Sequence, residues 1–211
     1  MNRILVSVAV ALLVVTSGCV GLLTGDTVEF TAADASVSDN VLESTGYDLQ
    51  NASSQNVTRN VSVAGQERTI RVENKFRDYS KGVDFGPLGE FETARFTLLS
   101  TPGATVAGQT LNPAADWSNE RIADQIANRN GDVGDLQREN NRTTQSLGET
   151  RTVTEFSGTS TLAGQDVDMV IHVASFEHEG DVIVAVGAHP ERIDETDNVD
   201  TLLGGIEHSG N

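Results

Sequence analysis

The chain has 211 residues, one cysteine and a formal net charge of −17, with 31 acidic residues against 14 basic ones. A single cysteine excludes an internal disulfide, and so acidic a surface argues against nucleic acid as a partner, because phosphate binding needs a basic face. The length suits one domain or two small ones.

Two of the cations are lysines, Lys75 and Lys81, and twelve are arginines. The charges are dispersed rather than blocked, which reads as a solvated shell. Such a charge strains a compact fold by self-repulsion. Molar salt shortens the screening length to about 3 Å and removes most of that penalty. An acidic, lysine-poor surface therefore points to a halophilic habitat.

At the amino terminus Arg3 supplies one positive charge, Ile4 to Val15 form an apolar run broken only by Ser7, and Thr16-Ser17-Gly18 are small residues ahead of Cys19. Charge, apolar core and small-residue cleavage zone in that order predict a secretory signal over 1–18. The placement of Cys19 resembles a lipobox: the thiol is the strong nucleophile of this stretch, takes the lipid, and the chain is cut between Gly18 and Cys19. The competing expectation is an uncleaved anchor, since the run extended to Leu23 reaches about 30 Å at about 1.5 Å per residue. Residues 19–27 read as a lipidated tether and 28–211 as a single globular domain.

Within that domain, Val37, Val41 and Leu42 recur at helical spacing, with Asp34 or Ser36 as cap and Gly46 as stop. A hairpin follows: 56–63 alternates, Ala64-Gly65-Gln66 turns, and Ile70, Val72, Asn74 and Phe76 alternate again. Residues 78–89 are glycine-rich and polar and read as loop. Phe91 to Ser100 reads as a strand stopped by Pro102-Gly103. Ser118 caps a helix whose apolar face is Ile122, Ala123, Ile126 and Ala127, with Trp117 stapled on Ile122. Asn130-Gly131 ends it, and the polar stretch to Gly148 has room for an edge strand. Three serial strands follow, at 152–162, around Val167 to Val173, and at Val182 to Val186. Pro190 breaks the last, and Val199, Leu202, Leu203 and Ile206 predict a closing helix. The expected fold class is α+β, an antiparallel β-sheet, in part a meander, packed against two or three α-helices, with alternation leaving one sheet face in solvent.

His172 is the most tempting candidate for chemistry, because Asp166, Asp168 and His172 share one strand face opposite Val167, Met169 and Ile171. At about 3.3 Å per residue, Asp168 and His172 stand about 13 Å apart, too far for ligands of one zinc ion. A solvated face is the expectation. Glu177-His178-Glu179 reads as a charged hairpin turn or, less simply, a metal or pH-sensing site. The acidic run Asp194 to Asp200 lacks the central glycine and trailing glutamate of a calcium loop, and Asp197 or Asn198 capping the last helix explains it. Ser157-Gly158-Thr159-Ser160 is a strand segment, and no nucleophile elbow, phosphate loop or dinucleotide fingerprint is present. The sequence therefore assigns no catalytic residue, no metal ligand and no cofactor. Asn51, Asn56, Asn60 and Asn141 open four sequons for N-glycosylation.

The lipobox, Ser100-Thr101-Pro102, Val106-Ala107-Gly108-Gln109 before Leu111-Asn112-Pro113, and the ending Leu202-Leu203-Gly204-Gly205-Ile206-Glu207-His208 resemble a family of uncharacterised haloarchaeal lipoproteins. The pattern from Phe91 to His208 is also similar to PsbP/Mog1-like domains, which implies a non-enzymatic binding or assembly role; the amino-terminal helix and hairpin depart from it. The resulting expectation is a protein held by lipid on the outer face of the cell membrane, binding an unknown protein or small molecule. The alternative is an extracytoplasmic hydrolase using histidine and acidic residues.

Overall fold

The computed structural model describes residues 27–63, 66–84, 90–106, 109–110, 112–130, 133–162 and 164–210. The signal 1–18, Cys19 and nearly all of the tether lie outside the described residues. In chain order the elements are β1 (Val28–Thr31), β2 (Ala35–Val37), α1 (Asp39–Thr45), β3 (Asp48–Val63), β4 (Gln66–Asp84), β5 (Glu90–Pro102), β6 (Thr105–Val106) and β7 (Gln109–Thr110). Then come α2 (Asn119–Asn130), β8 (Gly134–Ser146), β9 (Glu149–Leu162), β10 (Gln165–His178), β11 (Asp181–Pro190), α3 (Thr196–Gly204) and β12 (Ile206–His208).

The expectation of an α+β antiparallel meander against two or three helices is overturned. The fold is predominantly β: one mixed sheet holds eight strands, while the α-helices among the described residues are short, of seven, twelve and nine residues. Strands β5, β11, β10, β9 and β8 neighbour one another in that order, and β4 joins β5. Strand β1 lies parallel to β4, Val28 opposite Ile70, which makes the sheet mixed. Strands β3 and β8 close its two edges.

Polar strands explain the difference. Strand β4 runs 19 residues and β3 16, against a usual five or six, and much of both carries Ser, Thr, Asn, Gln and charge. Such stretches lack an apolar period yet pair fully through their backbones. Residues 78–84, expected as loop, continue β4, and the register shifts at Lys81/Gly82, so a bulge absorbs the glycine. Strand β8 is almost wholly exposed and bears Arg138, Glu139 and Arg142, the polar edge that discourages pairing with other chains.

The sheet is covered on both sides at its centre. Helices α1 and α3 and the β2–β12 pair lie on one face, where Tyr79, Phe96, Leu98, Val153, Ile183, Val199, Leu202 and Leu203 are buried together. Helix α2 lies on the other, with Ile122 and Ala123 against Phe156, Ile171, Val173 and Val184. The solvated face expected for the carboxy-terminal strands is therefore absent over this region.

Local chemistry explains the helix ends. Ser118 caps α2 as expected, its Oγ accepting from the Arg121 amide at 3.3 Å, and Trp117 packs in the α2 cluster. Helix α1 stops at Gly46, whose φ of 74° is left-handed and whose amide bonds the Leu42 carbonyl at 2.9 Å. Its cap is Ser38, not Asp34 or Ser36, because Ser36 lies in β2. Helix α3 follows Glu195, ahead of the expected caps Asp197 and Asn198. Ile206 leaves that helix and pairs in β12 with Val37.

Candidate functional site

All four histidines lie on the α3 side of the sheet, joined in two pairs at opposite ends of the β10–β11 hairpin. The hairpin turns on Glu179-Gly180, both left-handed at φ 48° and 88°, as a two-residue loop of matching twist requires. From that turn the register runs His178 opposite Asp181 and His172 opposite Gly187. His189, two residues beyond Gly187, shares the face of His172.

His172 is 1% exposed, so the solvated position expected for it is corrected. Helix α3 covers it: a Cβ built on Gly187 would lie 2.9 Å from Val199 Cγ2 and 3.6 Å from His172 Cδ2. The donors around it fix its tautomer. Arg142 Nη1, which can only donate, approaches His172 Nδ1 at 3.0 Å, so Nδ1 accepts and the ring proton sits on Nε2. That Nε2 lies 3.0 Å from His189 Nε2, which must then accept, leaving His189 to donate from Nδ1 to the Pro190 carbonyl at 3.0 Å. One directed line of hydrogen bonds thus runs from Arg142 to Pro190 with every ring nitrogen used. Burial, then the Arg142 charge and His189, push His172 down to about 3. It is neutral at ordinary pH, which the donating guanidinium requires. Arg142 is itself held by Asp200 at 2.9 Å and Glu155 at 3.5 Å.

The second pair sits at the turn. His178 Nδ1 and His208 Nδ1 are 2.9 Å apart, with the rings edge to face at 5.1 Å. His208 Nε2 meets Asp181 Oδ2 at 3.1 Å, and the same oxygen accepts from the Ala33 amide at 2.7 Å. An ionised carboxylate only accepts, so His208 carries its proton on Nε2 and its Nδ1 takes a hydrogen bond from His178.

A buried carboxylate anchors the start of α3. Glu195 is 4% exposed and takes Lys81 at 2.9 Å, Asn198 at 2.7 Å and Tyr47 at 3.4 Å. Burial and then the charge of Glu195 raise the Tyr47 phenol far above its ordinary range.

Two open grooves lie away from these clusters. One, of about 610 Å³, includes Leu136, Gln137, Ser157, Asp168, Met169 and Glu191. The other, of about 560 Å³, includes Ser38, Leu42, Leu49, Arg77, Tyr79 and Glu207.

The remaining expected sites disperse. Asp166 and Asp168 are exposed, Asp166 accepting from Thr161 at 2.9 Å, and neither joins His172. Asn51, Asn56 and Asn60 are exposed on edge strand β3, and Asn141 is exposed on edge strand β8. Gly18 and Cys19 lie outside the described residues. Sequence reasoning missed Arg142, Asp181, His189 and His208 as partners of the other two histidines. Only one signal could have found any: with a two-residue turn at 179–180, register alone sets His189 beside His172.

A family model described as a domain of unknown function (DUF6517) matches residues 34–207. No curated protein matches the chain. Among solved structures, that of cyanobacterial PsbP (CyanoP) from Synechocystis sp. PCC 6803 is similar at 12% identity and a TM-score of 0.39, covering 93% of this chain and 99% of that one.

Proposed function

The chain belongs to the DUF6517 family, and we propose that it is a lipid-anchored extracytoplasmic protein whose domain is a non-catalytic module for binding or envelope assembly. The anchor reading rests on the sequence Thr16-Ser17-Gly18-Cys19 after an apolar run. A lipid carrying two chains on Cys19 suffices for stable attachment without a transmembrane helix. The net charge of −17 supports a saline exterior of the haloarchaeal kind.

One observation carries the non-catalytic reading. His172 and His189 spend all four ring nitrogens on a buried line of hydrogen bonds. General base or acid work needs a nitrogen within reach of substrate, and these have none to offer. The groups against His172 are Arg142, Glu155 and His189, which is a structural set rather than a nucleophile with its base. The open grooves, not the histidine line, are the surfaces available to a partner protein or small ligand.

The anchor is tested by mass spectrometry of the membrane-bound protein beside a Cys19→Ser variant. The expected wild-type amino-terminal peptide begins at Cys19 and carries the mass of a lipid, and the variant loses that mass. A chain that retains Met1 and stays on the membrane after Cys19→Ser would make residues 4–23 an uncleaved anchor.

A further inference from the structure

The end of the β10–β11 hairpin holds a second arrangement of donors, which the anchor and the grooves do not use. We propose that His178, Glu179 and His208 bind a first-row divalent metal ion of the imidazole-seeking kind, zinc foremost, with Asp181 as the outer carboxylate that orients His208. This site is independent of the binding-module reading.

Convergence is the first argument. One ligand atom from each of the three residues lies within 4.8 Å of the others, and the two Nδ1 atoms are 2.9 Å apart. Two imidazole nitrogens at about 2.05 Å from a tetrahedral zinc stand about 3.3 Å from each other. The rings need to part by less than half an ångström, about the freedom of a χ adjustment.

The tautomer is the second. A metal-ligating histidine usually donates its other N–H to a carboxylate, which fixes the ring and strengthens the ligand. His208 does so, its Nε2 on Asp181 at 3.1 Å, while the Ala33 amide at 2.7 Å holds that carboxylate in place. The His208 side chain is fully buried and Asp181 nearly so, so the lone pair on Nδ1 is aimed rather than mobile. When the metal enters, His178 moves its proton from Nδ1 to Nε2 and both Nδ1 lone pairs become ligands. No proton is lost from either ring.

The third argument is the residue at the turn. Glu179 occupies a left-handed position, φ 48°, where Asn or Gly costs less. It stands beside His178 with its carboxylate in reach of both rings, while its Oε2 also accepts from the Gly210 amide. Two nitrogens and one carboxylate oxygen suit zinc, copper or nickel, whereas calcium asks for six or more oxygens. Three protein ligands leave a fourth position for water or for a group on a partner. Binding would also staple β12, and so the end of the chain, to the hairpin.

The test uses the full chain in detergent, stripped with a chelator, with zinc chloride as the probe. The expected result is one equivalent bound, read by metal analysis after desalting, a rise in melting temperature on loading, and visible d–d absorption of a four-coordinate site when cobalt replaces zinc. His178→Gln, at the partly exposed ligand, should weaken binding at least about tenfold, and Glu179→Gln, on the turn surface, should alter the cobalt spectrum. Calcium at the same concentration should raise the melting temperature no more than sodium at matched ionic strength. Retention of zinc below a tenth of an equivalent would overturn the site. So would binding that His178→Gln and Glu179→Gln leave unchanged, which would assign zinc to the acidic surface.

Discussion

His172 shows how a single neighbour sets a side chain's chemistry. Arg142 can only donate, so its contact at 3.0 Å forces the imidazole to be neutral with Nδ1 bare. In long-range proton–nitrogen NMR spectra, His172 should show the Nε2–H tautomer and His189 the Nδ1–H tautomer at neutral pH. Their inversion would break the proposed line. The same contact predicts a pH dependence. His172 is pushed to about 3 in the fold from an ordinary 6.5, so below 6.5 the unfolded chain takes the proton first. Stability is complete above that value and falls as pH drops from 6.5 toward 3, by up to about 1.4 kcal/mol per pH unit. The groups facing the ring are Arg142 and, beside it, Asp200 from α3, Glu155 from β9, His189 from β11, and Asp194 before α3. Asp194, which favours the charged ring, is exposed and does not offset burial and the Arg142 charge. Urea unfolding between pH 7.5 and 4.5 should show this slope in the wild type and lose it in His172→Gln.

At the scale of elements, α3 matters because its apolar side and the glycine beneath it are cut to one another. Val199, Leu202 and Leu203 are buried to 1% or less, and Gly187 gives Val199 its seat. Leu202→Ala should cost about 2–5 kcal/mol in denaturant unfolding. Gly187→Ala drives a methyl into Val199 and should cost about 1–3 kcal/mol. Val199→Ala in the same chain should recover part of that loss, so a double-mutant cycle should give a favourable coupling; additive costs would mean that the two do not touch. Among the elements, the legible ones had a clean apolar period or a strong cap. Ser118 with Trp117, Gly46 after Leu42, and the alternating Val167 to Val173 run each combine a local preference with a buried side chain. Residues 78–84 and 134–146 lack that period, although Tyr79 is buried and the second stretch left room for the edge strand it forms; the backbone ladder makes them strands, and every sequence carries the same amides and carbonyls.

The whole molecule carries a charge of −17 on a sheet closed at both edges by polar strands. Self-repulsion of that size weakens with screening, so the melting temperature should rise steadily between 0.2 M and 3 M sodium chloride. A flat or falling curve would remove the saline reading. Composition, the signal pattern, the lone cysteine and the local helix and turn chemistry are properties of short stretches, and the chain written as a string contains them. Fold class, the Arg142 contact and the pairing of His178 with His208 are not of that kind. That the His172 face of β10 is covered as well depends on α3, some 25 residues later, returning over it. His189 in β11 follows from the hairpin turn, but Arg142 in β8 and His208 in β12 reach His172 and His178 only because packing makes those strands neighbours. An alternating strand announces that it has two faces; how many of them are buried is decided by what else the chain lays against the sheet.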